Sequence, residues 1–509
     1  MANGLIAFVF TLICVIQNVT GRPDFGLNGD IVGSSIALDT SGGVSLIIGT
    51  LSDYRIQLGS QYQVLYNMQD AFYSVADKFT TAGIAMTDKL SLLVDDKTGI
   101  VTPPFQSTIS TISGLQGVIS TGYTQEFLTL KPRDKPFITD RLTDSLNYIS
   151  QTLTTLDEIL RKLQTAAELA QTQAGGDGKS VPKEFARSFV TPRMVNSLLN
   201  TIVRIAGAIA PLIYSVHEPL AQLDRGDTYI TTAKSDIEAA LLRAHQEVVN
   251  FNGNMRELKQ NTNAVVATVG PAYNEQQTLV GDILPNLQAS PKYPFELKNA
   301  LERFEDAMSV ESIEEKTSLV DITIEEYLDQ SRTYDDDLVT VYGDRLCPAI
   351  QSVVQVLIAS GPYSNYCFKK YSQRVVDIAV HNFYDIGECY ALELNRLYSV
   401  NRLISNIIGL VTVNFSELYD NLNTCASILP CPGDCDSCIE TLGEFVDVLA
   451  RLMEEKFDLL LQIVPYEAKA SLQRVKSCAA FSKYKLIADV HDLLKAVFKC
   501  EETGYKQTP

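Results

Sequence analysis

Apolar residues recur along most of this chain at steps of three and four residues, the spacing that gathers side chains on one face of an α-helix. The most regular run is Leu142–Ala170, where steps of four and three alternate without a break. A second long run, Ile230–Val269, is followed by Gly270 and Pro271, which predict its end. No segment shows the alternating pattern and paired turn signals of a β-sheet. The pattern therefore predicts an all-α protein.

The N-terminal part is predicted to begin with an irregular leader and to continue as helix. Residues Pro23–Gly43 are rich in Gly, Asp and Ser, and the helical spacing starts at Val44. It continues through Phe79, with an interruption expected at Gly83. A separate apolar stripe, Phe105–Ile119, predicts a second helix.

The apolar stripes are long and narrow, which favours elongated antiparallel helices over a compact ball. A narrow stripe buries little area per residue, so helix length or self-association must supply the rest of the core. The predicted fold class is all-α: an elongated bundle of long amphipathic helices followed by a disulfide-stapled helical domain.

Connectors divide the chain into four predicted regions. These are a signal peptide (1–21), an N-terminal long-helix region (22–174), a second helical region (183–342) and a cysteine-framed helical domain (345–503). The connector Ala174–Ser180 contains Gly-Lys-Ser, but Gln173 stands where a phosphate-binding loop requires its first glycine, so a nucleotide site is rejected.

The N-terminus carries a predicted export signal. The apolar run Leu5–Ile16 is too short to span a bilayer, and Val19 and Gly21 suit a cleavage site, so the mature chain is expected to start near Arg22. Export favours disulfides over thiolate metal sites, because thiols are oxidised outside the cytosol. The predicted localisation is secreted and extracellular.

Nine cysteines remain after removal of Cys14 with the signal, and all nine are disulfide candidates. They are Cys347, Cys367, Cys389, Cys425, Cys431, Cys435, Cys438, Cys478 and Cys500. An odd number leaves at least one thiol free or paired between chains, and the connectivity stays open. A zinc site at Cys425–Cys438 is the less favoured alternative.

The spacing of four of these cysteines constrains their pairing. Cys367 and Cys389 are 22 residues apart, as are Cys478 and Cys500. On a continuous helix that interval spans about 33 Å, whereas bonded cysteines have Cα atoms within roughly 7 Å. We therefore expect neither pair to bond internally, and we expect two neighbouring helices to be stapled to each other or to the turn at Cys425–Cys438.

The cysteine-framed region is predicted to contain four main helices. A short helix ends at Ser360-Gly361-Pro362. The next is predicted over Cys367–Glu393, and a separate heptad from Leu397 to Leu422, which includes Ile404 and Val411, leads into Cys425. The helix after the turn is predicted to break at Pro465. Asn414-Phe415-Ser416 is a glycosylation sequon in an exported chain.

The most apolar internal stretch is Leu198–Val216, which has two interpretations. A membrane span conflicts with Asn200, Arg204 and Pro211, because a charge near the bilayer centre is costly. A buried bundle helix is the favoured interpretation.

Charge and composition exclude several functions. The net charge is −19, which repels phosphate backbones and anionic lipid, so no nucleic-acid partner is expected and membrane binding is disfavoured. The four histidines, His217, His245, His381 and His491, are scattered and lack ligand spacing. No catalytic residue, metal or cofactor site is predicted, and a non-enzymatic protein is expected.

The order of residues from Tyr366 onward is characteristic. Tyr366-Cys367-Phe368 is followed by Cys389, by Asn423-Thr424-Cys425, and by Cys478 with a helix to Cys500. Residues 345–503 thereby resemble the tsetse EP-protein domain family of secreted, helical, cysteine-framed insect proteins. There is no Glu-Pro repeat tail, the Cys431–Cys438 insert is expanded, and the resemblance leaves out the first two-thirds of the chain. It implies an extracellular, gut-associated role in recognition or defence, and it supplies no catalytic residue.

Three functions compete at this stage. The favoured one is a secreted non-enzymatic interaction or structural protein that binds an extracellular protein or glycan, with self-association through helices or an unpaired cysteine. The second is a lipid-binding or membrane-active helical bundle. The third is a secreted enzyme whose site is assembled from distant segments.

Overall fold

The computed structural model describes residues 24–309, 318, 321–330, 340, 342–429 and 437–506. Across these ranges the regular secondary structure is helical, apart from an isolated bridge between Asn28 and Ser180. The predicted all-α fold class is confirmed. The predicted signal peptide lies outside the described residues.

Six helices occupy the first part of the chain. In order they are α1 (Ser34–Asp53), α2 (Gln63–Val94), α3 (Thr102–Thr121), α4 (Thr124–Thr129), α5 (Phe137–Gln173) and α6 (Lys183–Phe189). A 3₁₀ turn, Pro132–Asp134, precedes α5.

The remaining helices include the three longest among the described residues, α7, α12 and α13. In order they are α7 (Pro192–Val266), α8 (Val269–Gln288), α9 (Tyr293–Glu296), α10 (Lys298–Ala307), α11 (Cys347–Ile358), α12 (Ser364–Ile428) and α13 (Ser437–Thr503). Residues 321–330 are also helical, a π-helical turn precedes α11 at Tyr342–Leu346, and a 3₁₀ turn ends the described chain at Gly504–Lys506.

The chain divides into two compact units that are discontinuous in sequence. Unit 1 comprises Met1–Ala233, Ile350–Gln373 and Leu494–Pro509, and unit 2 comprises Lys234–Ala349 and Arg374–Leu493. The regions predicted from connectors are consecutive, so they describe chain order and not these units.

The core of unit 1 is built from the predicted apolar stripes. Along α5 the heptad residues of Leu142–Ala170 are at most 3% exposed. They join buried residues of α1, α2, α3 and α7 in one cluster, together with Val354 and Ile358 of α11. Burial of this continuous stripe stabilises α5, because each large aliphatic side chain removed from water contributes about 2 kcal/mol.

Three N-terminal predictions were wrong. The helix expected to continue from Val44 through Phe79 is interrupted, because α1 ends at Asp53 and α2 begins at Gln63. The irregular leader was expected to reach Gly43, but α1 begins at Ser34, and its buried face includes Ala37 and Val44. The interruption expected at Gly83 is absent, because α2 continues to Val94. Gly83 instead lets α1 approach closely, since a Cβ there would lie 3.1 Å from Cδ1 of Ile48.

The apolar stretch Leu198–Val216 lies in the core of unit 1, as the bundle interpretation predicted. Leu198, Ile205 and Leu212 are buried, whereas Arg204 and Pro211 on the other face are exposed. Within the described ranges, two helical stretches are apolar enough to cross a membrane by length and composition alone, namely α1 and Pro192–Gln288.

Aromatic rings organise the core of unit 2. Phe251 of α7 packs on Tyr390 of α12 with ring centroids 5.4 Å apart, and it also contacts Tyr327 at 6.0 Å. The predicted heptad of α7 continues on both sides of Phe251, with Val248 and Met255 buried.

Three predicted helix ends in unit 2 were wrong. The helix predicted from the run Ile230–Val269 was expected to end at Gly270-Pro271. It ends earlier, at Val266, and Gly270 and Pro271 lie inside α8. Pro465 lies inside α13, and α12 continues from Ser364 to Ile428 through the predicted boundary after Glu393, so the four predicted main helices are two long ones. A proline removes one backbone hydrogen bond, and Val464 and Ala468 beside Pro465 remain buried.

Candidate interaction surface on the disulfide-stapled helices

Among the described residues, three disulfides join α12 to α13, and two of them lie far from the turn between the helices. Cys367 bonds to Cys500 and Cys389 bonds to Cys478, with Cα atoms 5.8 Å and 5.9 Å apart. The connectivity shows that the two helices run antiparallel, and the equal 22-residue intervals allow both bridges in one register. The expectation that each helix is stapled to its neighbour, and not within itself, is confirmed.

The remaining cysteine candidates have three outcomes. Cys425 bonds to Cys438, which ties the end of α12 to the start of α13. Cys347 has a free thiol and lies half-buried at the start of α11; the odd number of candidates had left at least one thiol free or paired between chains. Cys431 and Cys435 lie outside the described residues.

A buried ion pair lies one helical turn from the Cys389–Cys478 bridge. Glu393 is 2% exposed, and the Arg474 guanidinium donates to both of its carboxylate oxygens, at 2.6 Å and 3.0 Å. Arg396 donates to Glu393 at 3.2 Å. Such a two-point pair fixes the distance and the rotation of one helix against the other.

Arg474 forms ion pairs with two carboxylates, those of Glu393 and Glu467. Its hydrogen bond to Glu393, followed by the one to Glu467, holds the pKa of the Arg474 guanidinium above its usual range. On the other side of the bridge, Lys485 donates to Asp385 at 3.1 Å. The stapled segment therefore has polar cross-links on both sides of its disulfide, and its register is strongly determined.

An exposed apolar surface lies along the same two helices. We call it the outer face and define it by six residues, of which Tyr466 is the most exposed at 73%. They are Leu392, Leu403 and Leu410 of α12, and Leu452, Leu459 and Tyr466 of α13. Large apolar side chains exposed in a contiguous stripe are typical of an interaction site.

Helical periodicity places these residues on the side of the pair that other helices leave uncovered. On α12, Tyr390 packs on α7 and Asn401 accepts a hydrogen bond from Thr262 of α7. At 100° per residue, Leu403 and Leu410 lie roughly 140–180° from those two positions. The outer-face residues of α12 therefore point away from α7.

The same periodicity applies to α13. Its inner side meets segment 321–330, where Tyr327 and Ser471 share a hydrogen bond of 2.9 Å. Leu452 and Leu459 lie roughly 100–120° around the helix from Ser471, beyond the side that carries Cys478. The exposed apolar residues of α12 and those of α13 therefore lie on the same side of the disulfide and ion-pair cross-links, away from α7 and segment 321–330.

The predicted glycosylation site lies beside this surface. Asn414 is in the middle of α12 and half-buried, and its amide nitrogen is 3.8 Å from Sδ of Met453 on α13. Sequons are ordinarily modified in surface loops, so modification of Asn414 remains a prediction that needs a direct test.

The four histidines do not converge. His217 is 3.3 Å from the Leu51 carbonyl oxygen, and His381 is 2.7 Å from the Asp377 carbonyl oxygen. His491 lies exposed beside Asp492. In the part of the chain that the structure describes, no group of three or more His, Cys, Asp and Glu side chains could hold a metal ion.

Sequence reasoning did not identify the outer face. It selected the residues that form the inner stripe of α12, such as Ile404 and Val411, and these are buried. Leu403 and Leu410 stand next to them, seven residues apart. The signal that could have identified the outer face is this second apolar series, which has heptad spacing and is displaced by one residue from the first.

No protein family, curated protein or solved structure matches this chain.

Proposed function

We propose that this is a secreted, non-enzymatic binding protein that engages an extracellular protein partner through the outer face of α12 and α13. The observation that carries the proposal is the exposed apolar surface on a pair of helices held in register by disulfides and a buried ion pair. A preorganised surface loses little conformational freedom on binding, so more of the contact energy becomes affinity.

The spacing of the exposed residues favours a helical partner. Leu403 and Leu410 are seven residues apart, and so are Leu452, Leu459 and Tyr466. Two antiparallel helices that present residues at this interval form a groove into which an amphipathic helix can pack its own apolar face. Secretion is supported by the predicted signal peptide and the three disulfides.

The resemblance of residues 345–503 to the tsetse EP-protein domain family agrees with this proposal. It supports an extracellular role in recognition or defence, associated with the gut. The region of resemblance contains the whole outer face.

Lipid binding is the second candidate, because the same apolar surface could insert into a bilayer. The chain's net charge of −19 opposes approach to anionic membranes. Flotation with neutral and anionic liposomes separates the two candidates: salt-independent flotation that requires the outer face identifies a lipid-binding protein.

The decisive experiment compares two double variants of the full mature chain. Leu403→Glu with Leu459→Glu places two charges on the outer face. Leu128→Glu with Leu242→Glu is the matched control, because those leucines are 65% and 66% exposed elsewhere. All three proteins are used to capture partners from the extracellular fluid of the expressing tissue.

We expect a protein captured by the wild type and the control, and lost with the outer-face variant. Sedimentation of each protein alone tests whether a second copy is the partner. Identical capture by both variants contradicts the proposal, provided that circular dichroism shows equal helix content.

A further inference from the structure

A pocket in unit 2 lies between α8, α10 and α12, apart from the outer face. It has a volume of about 330 Å³, within the range of small-molecule sites. Three aromatic rings meet at its base. Tyr273 is 5.6 Å from Phe415 and 6.2 Å from Phe304, and Phe304 is 6.1 Å from Phe415, between ring centroids.

The base of the pocket is apolar and well supported. Phe304 and Phe415 are buried, at 3% and 1% exposure, whereas Tyr273 is half-buried. Phe304 and Phe415 meet edge to face at 87°. Such a cluster offers ring faces and edges to a flat apolar group.

One polar group beside this base lacks a partner. Gln276 lines the pocket, and its buried Oε1 accepts no hydrogen bond from the residues that the structure describes. A buried acceptor without a donor costs about 1–3 kcal/mol. A ligand that brings an N–H or O–H group to Gln276 removes that cost.

The charged side chains that line the pocket carry a net negative charge. They are Glu302, Glu305 and Lys298, and Lys298 Nζ is 3.6 Å from a carboxylate oxygen of Glu302. Gln277 donates to Glu305 at 2.8 Å, which orients that carboxylate. Burial, followed by the charges of Glu305 and Asp306, raises the pKa of Tyr273 to about 12, so its hydroxyl stays neutral.

We propose that this pocket binds a small aromatic amine in its protonated form. The aromatic ring packs on Tyr273, Phe304 and Phe415. The ammonium group donates to Gln276 Oε1 and lies near the rim carboxylates, where the adjacent rings also favour a cation. This site is independent of the function proposed for the outer face.

Three probes that share a phenol ring and a two-carbon substituent separate charge from shape. They are tyramine, which is a cation, 4-hydroxyphenylacetate, which is an anion, and 4-ethylphenol, which is neutral. Titration calorimetry on the full mature chain measures each one. We expect tyramine to bind at one site, 4-ethylphenol to bind at least tenfold more weakly, and 4-hydroxyphenylacetate not to bind.

Two variants test the location. Gly281 lines the pocket, and a Cβ there meets no atom within 4 Å. Gly281→Phe therefore fills the mouth without a backbone clash, and we expect it to abolish tyramine binding. Gly270→Phe is the matched control, since Gly270 is in the same helix, does not line the pocket and is equally unobstructed.

Glu305→Gln tests the charge. The glutamine oxygen can still accept from Gln277, so the pocket keeps its shape. We expect tyramine affinity to fall about tenfold, the effect of losing one charged interaction, and 4-ethylphenol affinity to stay the same. Thermal unfolding confirms that each variant is folded.

The proposal is overturned if tyramine shows no saturable binding at millimolar concentration, or if Gly281→Phe binds it like the wild type. Equal affinity for tyramine and 4-ethylphenol, or an unchanged tyramine affinity in Glu305→Gln, overturns the assignment to a cation. Loss of outer-face binding in the preceding experiment leaves these results unaffected.

Discussion

At the scale of single residues, the most consequential interaction in unit 2 is the contact between Glu393 and Arg474. The Glu393 carboxylate is 2% exposed, so cations and hydrogen bonds must replace the water that it loses on burial. Arg474 supplies most of that replacement, and Arg396 contributes one further bond. The pair therefore acts as a constraint on geometry more than as a source of net stability.

Replacing Arg474 by methionine should destabilise the protein by about 2 kcal/mol, because it leaves Glu393 buried with one weak partner. Urea denaturation followed by circular dichroism measures the change. The double variant Glu393→Leu with Arg474→Met should recover most of the loss. A single variant as stable as the wild type contradicts this account.

Asp24 in unit 1 should make stability depend on pH. Its burial, partly offset by a hydrogen bond from Ser34, raises the pKa of this carboxyl from 3.8 to about 7. Because the folded state holds the proton more tightly than the unfolded chain, this contribution to stability is fully present below about pH 4. It is lost as the pH rises to about 7.

Asp24→Asn should remove this dependence, since the amide stays neutral. Relative to the wild type, the variant should gain unfolding free energy between pH 4 and pH 7 and change no further above that range. Urea midpoints at pH 4, 5.5, 7 and 8 test this. A constant difference between the two proteins over that series is the contrary outcome.

At the scale of elements, helix periodicity predicted the interiors of the helices better than their ends. The stripe Leu142–Ala170 became the buried face of α5 because every step of it matches the helical repeat. Pro465 and Gly83 did not end a helix, since burial of their neighbours outweighs the local cost of a proline or a glycine. Local signals fail where tertiary burial is large.

The candidate site was predictable only in part. The equal spacing of Cys367 and Cys389 and of Cys478 and Cys500 predicted stapled helices, and the structure confirms them. The spacing alone did not predict which cysteine bonds to which, because that depends on the antiparallel arrangement of α12 and α13. The outer face depends on which side of α12 the helix α7 covers, and spacing along one helix cannot supply that.

Removing the bridge between Cys389 and Cys478 by a double change to serine should lower the unfolding free energy by about 4 kcal/mol. Removing the bridge between Cys425 and Cys438 should cost about 3 kcal/mol, because the enclosed loop is shorter. The sequence separations are 89 and 13 residues. Urea denaturation of both variants gives the order, and a larger loss for the shorter loop contradicts a chain-entropy origin.

At the scale of the whole molecule, the proposed function requires export. Expressed with its own N-terminus in a secretory system, the protein should begin near Arg22 and show the bridges 367–500, 389–478 and 425–438 by peptide mapping without reduction. Cys347 should react with a maleimide reagent after denaturation. A secreted product that retains residues 1–21, or that contains reduced Cys367, is the opposite result.

The three bridges are nested along the chain, since the loop from Cys367 to Cys500 encloses the second loop, which in turn encloses the third. A protease that cuts once anywhere between Cys367 and Cys500 thus produces a nick and no separate fragment. The severed ends stay tethered, and helices beside the cut can close again. The proposed binding surface would therefore stay attached to the rest of the protein after a single cleavage of its backbone.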